Sequence, residues 1–254
     1  MPDAAALLAP LRARPASSVL AVDFDGTLAP IVSDPAAARP VEGSLELLAS
    51  LARSYRDVIV VSGRPLDFLE PILPAGVSVV GLYGLEGADH GTRWEHPNGG
   101  AWRETMADLA TAARRDGPAA MRVELKGLSI TLHYRNHPEL ADDVRALASA
   151  QASRAGVLTR DARMSVELHP PIDSDKGTVI DRLTVDAEAV LYAGDDVGDL
   201  PAFDALDRLA ARGAHVVRVA VVSDEAPAEL IDRADLRVAG PAELVSVFGS
   251  LAVE

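Results

Sequence analysis

Five largely apolar runs mark this chain, at 19–22, 58–61, 77–80, 189–193 and 216–222, broken only by Ser78 in the third and Arg218 in the fifth. A strand with one face in water alternates apolar and polar positions, so such a run suits a strand covered on both faces, as in a parallel sheet between helix layers. Leucines recur at helical spacing over 44–55, with one acid, Glu46, among them. Further helices are predicted over 65–73, with a proline near the first turn, and over 176–183, 200–212 and 241–251. Strands alternating with helices predict an α/β fold built on a doubly wound, Rossmann-like parallel sheet.

The middle of the chain has another rhythm. Residues 102–115 and 139–154 read as helices, while 121–135 and 157–170 alternate and read as antiparallel hairpins, the second turning near Asp161. That α-ββ-α-ββ order predicts an inserted α+β unit with one face of its sheet left polar. It lies between a Gly-rich stretch, 96–100, and a Pro-rich one, 169–175. The expected division is a core of 1–98 and 171–254 and an insertion of 99–170.

The residues just past three of the apolar runs carry the chemistry. Asp23-Phe24-Asp25-Gly26-Thr27 comes after the first, Ser62-Gly63-Arg64 after the second, and Gly194-Asp195-Asp196-Val197-Gly198-Asp199 after the fourth. Strand ends of a parallel sheet share one edge, where ligands bind, so these groups should converge there with Lys176, which opens a predicted helix. Crowded carboxylates repel unless a cation joins them, and a hard ion such as Mg²⁺ takes carboxylate, water and phosphate oxygens. In such a site Asp23 is the expected nucleophile toward phosphorus and Asp25 the expected acid and then base. Thr27 and Ser62 offer hydroxyls to phosphate oxygens, Gly26 permits close backbone approach, and Lys176 offsets charge on the transferring group.

Composition narrows the partners. A net charge of −14 over 254 residues argues against nucleic acid or an anionic membrane. No cysteine is present, which removes thiolate and disulfide chemistry, and no apolar run has membrane-spanning length. The start of the chain lacks a basic leader and reads as a short amphipathic helix, so a cytoplasmic protein is expected. Lys126 and Lys176 are the only lysines, the other 22 cationic residues being arginine. Where lysine persists among so many arginines, a specific use for a compact ammonium is the expectation and chance survival the alternative. His133 and His137 have a metal-pair spacing only on a helix, and Pro138 keeps His137 extended, so neither is read as a ligand. Trp94 and Trp102 read as packing, and Glu86 as structural.

Taken in order, DFDGTL, SGR, DKG and GDDVGD resemble the four motifs of haloacid-dehalogenase-like phosphatases, and the insertion resembles their C2-type α/β cap. DFDGTLAPI, VELKGLSITLHYR and VELHPPIDSDKG are similar to the trehalose-6-phosphate phosphatase family over nearly the whole chain. The resemblance implies hydrolysis of trehalose 6-phosphate through a phosphoaspartate, with Mg²⁺ held by Asp23, Asp25, Asp195 and Asp199. It places Gly26, Gly63 and Arg64 beside the substrate and assigns the sugar to Glu124, Lys126, Arg135 and Glu167 of the cap. The chain departs from the family at Gly198 and Leu200, where Thr and Glu commonly flank the last acid, so Asp199 is left between binding metal and orienting the site. A monomer acting on a small molecule is the expectation. The alternatives are another sugar phosphate, such as sucrose phosphate or a hexose phosphate, and a receiver-like phosphorylated domain. Asp25 and the insertion argue against the receiver.

Overall fold

The computed structural model describes residues 3–252 except Ser33, Arg163 and Glu225. The chain divides into two compact units, Glu95–Asp173 and the residues on either side of it.

The flanking residues build one large sheet. Its strands are β1 (Ser18–Val22), β2 (Asp57–Val61), β3 (Ser78–Gly81), β4 (Glu86–Asp89), β5 (Thr92–Glu95), then, after the insertion, β10 (Ala189–Gly194), β11 (His215–Val221) and β12 (Leu236–Val238). They lie in the order β12-β11-β10-β1-β2-β3-β4-β5. The six from β12 to β3 run parallel, and β4 is antiparallel to β3. Helices α1 (Ala4–Ala13), α2 (Ser44–Leu51), α3 (Leu66–Leu69), α6 (Lys176–Leu183), α7 (Leu200–Ala211), α8 (Ala228–Arg233) and α9 (Pro241–Gly249) accompany it.

The apolar runs are explained by two cores. Leu20 and Val22 of β1 join Val58, Val60, Leu191, Ala193 and residues of α1, α2, α3 and α9 on one face. Val19 and Ala21 join Ile59, Val61, Val190, Tyr192 and residues of α6, α7 and α8 on the other. Successive side chains of each strand point to opposite faces and both faces are covered, so Val19–Val22 of β1 and Val58–Val61 of β2 are apolar at every position. The doubly wound architecture read from the sequence is the one observed.

The inserted unit is a second sheet, β6 (Arg122–Leu125), β7 (Ile130–His133), β8 (Leu158–Ala162) and β9 (Ser165–His169), in the order β6-β7-β9-β8. Helices α4 (Arg103–Asp116) and α5 (Ala141–Ala155) pack on one face with Ile130, Leu132, Val166 and Leu168. The other parity is polar in β6, β7 and β9, and in β8 it carries Arg160 between Leu158 and Ala162.

Three details depart from the sequence expectation. β4 and β5 form a hairpin extending the main sheet, and EGAD offers no apolar run by which to foresee it. The three-residue β12 and the short α8 are likewise absent from the sequence pattern. The β8–β9 turn comes after Ala162 instead of falling near Asp161, since Asp161 is still paired with Val166. Among the described residues no helix is long and apolar enough to cross a membrane.

Candidate active site

The direction of winding reverses at β1: the chain passes to β2 and β3 on one side and later returns with β10 on the other. Ligands of open α/β sheets bind outside the strand ends at such a point. Asp23 is the first residue past β1, its N–H donating to the Ala193 carbonyl at 2.9 Å, and Asp195 is the first past β10. The ladder that pairs the two strands therefore fixes both acids side by side.

Lys176 enters from the first turn of α6. Asp175 caps that helix, accepting from the Thr178 N–H at 2.7 Å while its own N–H donates to Thr178 Oγ1 at 2.9 Å. With the cap set, Lys176 Nζ lies 2.7 Å from Asp23 Oδ1 and 2.6 Å from Asp199 Oδ1. α6 sits tightly against α7: a Cβ on Gly177 would collide with the Pro201 carbonyl. Asp23, Asp195, Asp199 and Lys176 are all buried.

Asp199 is the organiser. Its Oδ1 accepts from Lys176 and from the Tyr192 hydroxyl at 2.5 Å, and its Oδ2 accepts from the N–H groups of Asp195 and Asp196 at 2.9 and 3.0 Å. A carboxylate offers about four lone-pair sites, so Asp199 is committed to holding Lys176 and the loop of Asp195. Gly194 is required beneath it, because a Cβ there would overlap the Asp199 carboxyl. Asp196 caps the same loop, accepting from the Gly198 N–H at 2.8 Å. Tyr192 is a member of the site that sequence reasoning missed. Its signal was an aromatic hydroxyl inside the aliphatic run AVLYAG, since a buried tyrosine needs a partner.

Burial pushes the Asp23 carboxyl well above the usual carboxylate range; Lys176 opposes this, while Asp199, Asp195 and Asp196 add to it. Burial works against the charge on Lys176, but Asp199 and Asp23 outweigh it and the ammonium is held well above its ordinary value. Tyr192 is likewise raised, by burial and then by Asp199. One oxygen each of Asp23, Asp195 and Asp199 lie within 4.8 Å of one another. One ammonium against these buried acids leaves excess negative charge, and the all-oxygen donor set fits a hard divalent cation. With Asp199 committed elsewhere, Asp23 and Asp195 are the carboxylates suited to it.

The other motif residues surround this group. Gly26 has φ +86°, and a Cβ there would run into the Asp195 carboxyl. Thr27 Oγ1 donates to Asp195 Oδ1 at 3.3 Å. Ser62 is buried, its Oγ accepting from the Arg64 N–H at 3.2 Å. A Cβ on Gly63 would meet the Tyr83 ring at 2.7 Å. The Asp25 carboxylate does not join the three acids: Arg64 takes both of its oxygens, Nε to Oδ2 and Nη2 to Oδ1, each at 2.7 Å. Glu86 accepts from the Leu66 N–H at 2.6 Å, at the start of α3.

In the inserted unit the sheet register aligns Glu124, Thr131, Glu167 and Arg160 in one row across all four strands. Glu167 Oε1 accepts from Ser129 Oγ at 2.6 Å and lies 4.0 Å from Lys126 Nζ, with Arg160 3.9 Å from its other oxygen. His133 Nε2 is 2.8 Å from Glu124 Oε2. Lys126, two residues past Glu124, shares that face, and Arg135 comes after β7, next to the buried Tyr134. His137 Nδ1 is 3.0 Å from Glu139, and the two tryptophans pack, Trp94 beneath the Arg182 guanidinium and Trp102 on the α4–α5 core. Thr131 and Arg160 carry no signal as site residues in the sequence, and the register reveals them as neighbours of Glu124 and Glu167; His133 reaches Glu124 through its side chain.

The trehalose-phosphatase family model matches residues 21–235. The trehalose-phosphate phosphatase of Mycobacterium ulcerans is 37% identical over 197 residues, covering 72% of this chain and 50% of that protein. The chain spans about half the length of such curated relatives. A C. albicans trehalose-6-phosphate phosphatase C-terminal domain superposes with TM-score 0.81 at 22% identity, covering 98% of this chain and 96% of that one. A haloacid dehalogenase-like hydrolase from Bacteroides thetaiotaomicron superposes with TM-score 0.62 at 13% identity, over 92% and 98% of the two chains. The fold is thus shared with haloacid-dehalogenase-like hydrolases, and the chain belongs to the trehalose-phosphatase family.

Proposed function

We propose that this protein is a Mg²⁺-dependent phosphatase that releases trehalose and inorganic phosphate from trehalose 6-phosphate. The observation that carries the reading is the buried group of Asp23, Asp195 and Asp199 around Lys176 at the strand ends, in a chain of the trehalose-phosphatase family. Asp23 and Asp195 would hold the cation, whose positive charge supplies compensation for the phosphoryl oxygens.

The chain's own residues do the rest. An Asp23 oxygen bonds to phosphorus as the bond from phosphorus to the sugar oxygen breaks, and Asp25, once protonated and with one oxygen turned from Arg64, gives that oxygen its proton. Asp25, now ionised, takes a proton from water; the water oxygen bonds to phosphorus and Asp23 is released with inorganic phosphate. Lys176 is held by Asp199 against Asp23 and supplies fixed positive charge where negative charge gathers. Ser62, and Thr27 after turning from Asp195, supply hydroxyls to the phosphate.

The polar face of the inserted sheet reads as the selector of the sugar. Glu124 and Glu167 accept from hydroxyls, and Lys126 and Arg135 donate. The protein acts as a monomer in the cytoplasm on this reading. Phosphate release from trehalose 6-phosphate, sucrose 6-phosphate and glucose 6-phosphate, with Mg²⁺ or with EDTA, tests it. Trehalose 6-phosphate should be the preferred substrate and EDTA should silence the reaction. Equal rates on all three, or full activity in EDTA, would refute it.

A further inference from the structure

Arg64 belongs to the SGR motif, and its position invites assignment to the phosphate. Its surroundings say otherwise. Two of its donors, Nε and Nη2, are spent on the two oxygens of Asp25, each at 2.7 Å. A third, Nη1, donates to the Pro35 carbonyl at 2.7 Å. The face of the guanidinium rests 4.5 Å from the centre of the Phe68 ring. The backbone is fixed as well: the Arg64 N–H donates to Ser62 Oγ and its carbonyl accepts from the Leu82 N–H at 3.0 Å. A Cβ on Gly81 would stand 2.8 Å from that carbonyl, so β3 is shaped to admit it.

Exposure separates the two partners. The Arg64 side chain is 11% exposed and that of Asp25 32%. The carboxylate is therefore the outer, reachable member of the pair and the guanidinium its backing. A fork-to-fork pair fixes both distance and plane, which a single-point contact does not. The loop that carries Asp25 is itself tight, with the Gly26 N–H donating to the Ala29 carbonyl at 2.7 Å.

We propose that Arg64 is a positioning residue that acts through Asp25, aiming its carboxyl for proton transfer and tying the loop of Asp25 and Pro35 to the end of β2, and that it is not a ligand of the transferred phosphate. This rests on the phosphatase reading above, in which Asp25 moves the protons.

The two roles differ in which substrates suffer. A sugar alkoxide needs a proton to leave, whereas p-nitrophenolate leaves without one, and kcat/KM reports only the steps through loss of the leaving group. For Arg64→Ala, kcat/KM on trehalose 6-phosphate should fall by about tenfold or more, as expected when a charge-assisted pair is removed. On p-nitrophenyl phosphate it should stay within about twofold of wild type, and so should the dissociation constant of inorganic phosphate measured by calorimetry. Asp25→Asn should show the same substrate pattern, more strongly. Arg64→Lys keeps the charge without the fork, remains usable should Arg64→Ala fail to fold, and should fall between wild type and Arg64→Ala on trehalose 6-phosphate. Equal losses on both substrates together with weakened phosphate binding, in either folded Arg64 variant, would overturn the inference and make Arg64 a phosphate ligand. Retention of full trehalose 6-phosphate activity by Asp25→Asn would instead overturn the mechanism on which it rests.

Discussion

The strand-end site of the main sheet and the polar face of the inserted sheet are both built from acids and lysine, yet they are held together differently. In the first, Lys176 touches two carboxylates at 2.6 and 2.7 Å, and Asp199 is tied down by backbone N–H groups. In the second, Lys126 and Arg160 stand 4.0 and 3.9 Å from Glu167. The contacts of the strand-end site are short, buried and anchored to main chain, as a group must be that offsets charge without reorganising. The two contacts of Lys126 and Arg160 with Glu167 are longer and made between side chains, which suits hydrogen bonds to be exchanged for those of a sugar. The difference teaches where rate and where selectivity should respond to mutation.

The largest effect belongs to Asp23→Asn. An amide is a poor nucleophile and a weak ligand, so turnover should vanish on every phosphate ester while circular dichroism stays unchanged. Near wild-type activity in this variant would dissolve the comparison at its first term. Next comes Lys176→Ala, which exposes the developing charge to uncompensated carboxylates. A preorganised donor is worth about 3 kcal/mol or more, so at least about a hundredfold in kcat should be lost on trehalose 6-phosphate and p-nitrophenyl phosphate alike. Damage confined to one substrate would show that Lys176 serves selectivity instead.

A smaller effect is expected from Tyr192→Phe. It removes one donor from the buried Asp199, a bond to a charged group worth about 1.5–3 kcal/mol, and leaves the ring contact with Phe203 in place. Thermal unfolding should reveal the loss of stability, with kcat falling less than in Lys176→Ala. An unchanged melting temperature would remove Tyr192 from the network.

The smallest effect is the pH dependence of cation binding. Because Asp23 is raised in the folded protein, the unfolded chain, with a carboxyl near 4, releases its proton first as pH rises. The cation-free protein should therefore lose stability from about pH 4 upward until the folded value is passed. Mg²⁺ competes with that proton, so it should raise the melting temperature more at pH 8 than at pH 5. An equal rise at both values would show that Asp23 is not among the ligands.

Much of this was legible in the sequence, and the reason is geometric. In a parallel sheet the residue after each strand must lie on a common edge, so Asp23, Ser62 and Asp195 are brought near one another by their position after apolar runs. The parts that were not legible depend on side-chain choices among several neighbours. Asp25 sits two residues from Asp23, yet Arg64 claims it, and only coordinates show that. Asp199 carries the same letter as Asp195 but is saturated by four donors. The row of Glu124, Thr131, Glu167 and Arg160 needs the register of three strand pairs, which alternation within one strand does not specify. The β4–β5 hairpin has too little apolar content to announce itself.

The division between a strand-end site that transfers phosphate and a sheet face that selects the sugar is tested most directly by kcat/KM of Lys126→Ala on two substrates. Lys126 offers the disaccharide hydrogen bonds worth about 1–3 kcal/mol, which a small aryl phosphate does not use. The variant should lose trehalose 6-phosphate activity by about fivefold to a hundredfold while keeping its rate on p-nitrophenyl phosphate. Equal losses on both substrates, with the fold intact by circular dichroism, would contradict the division.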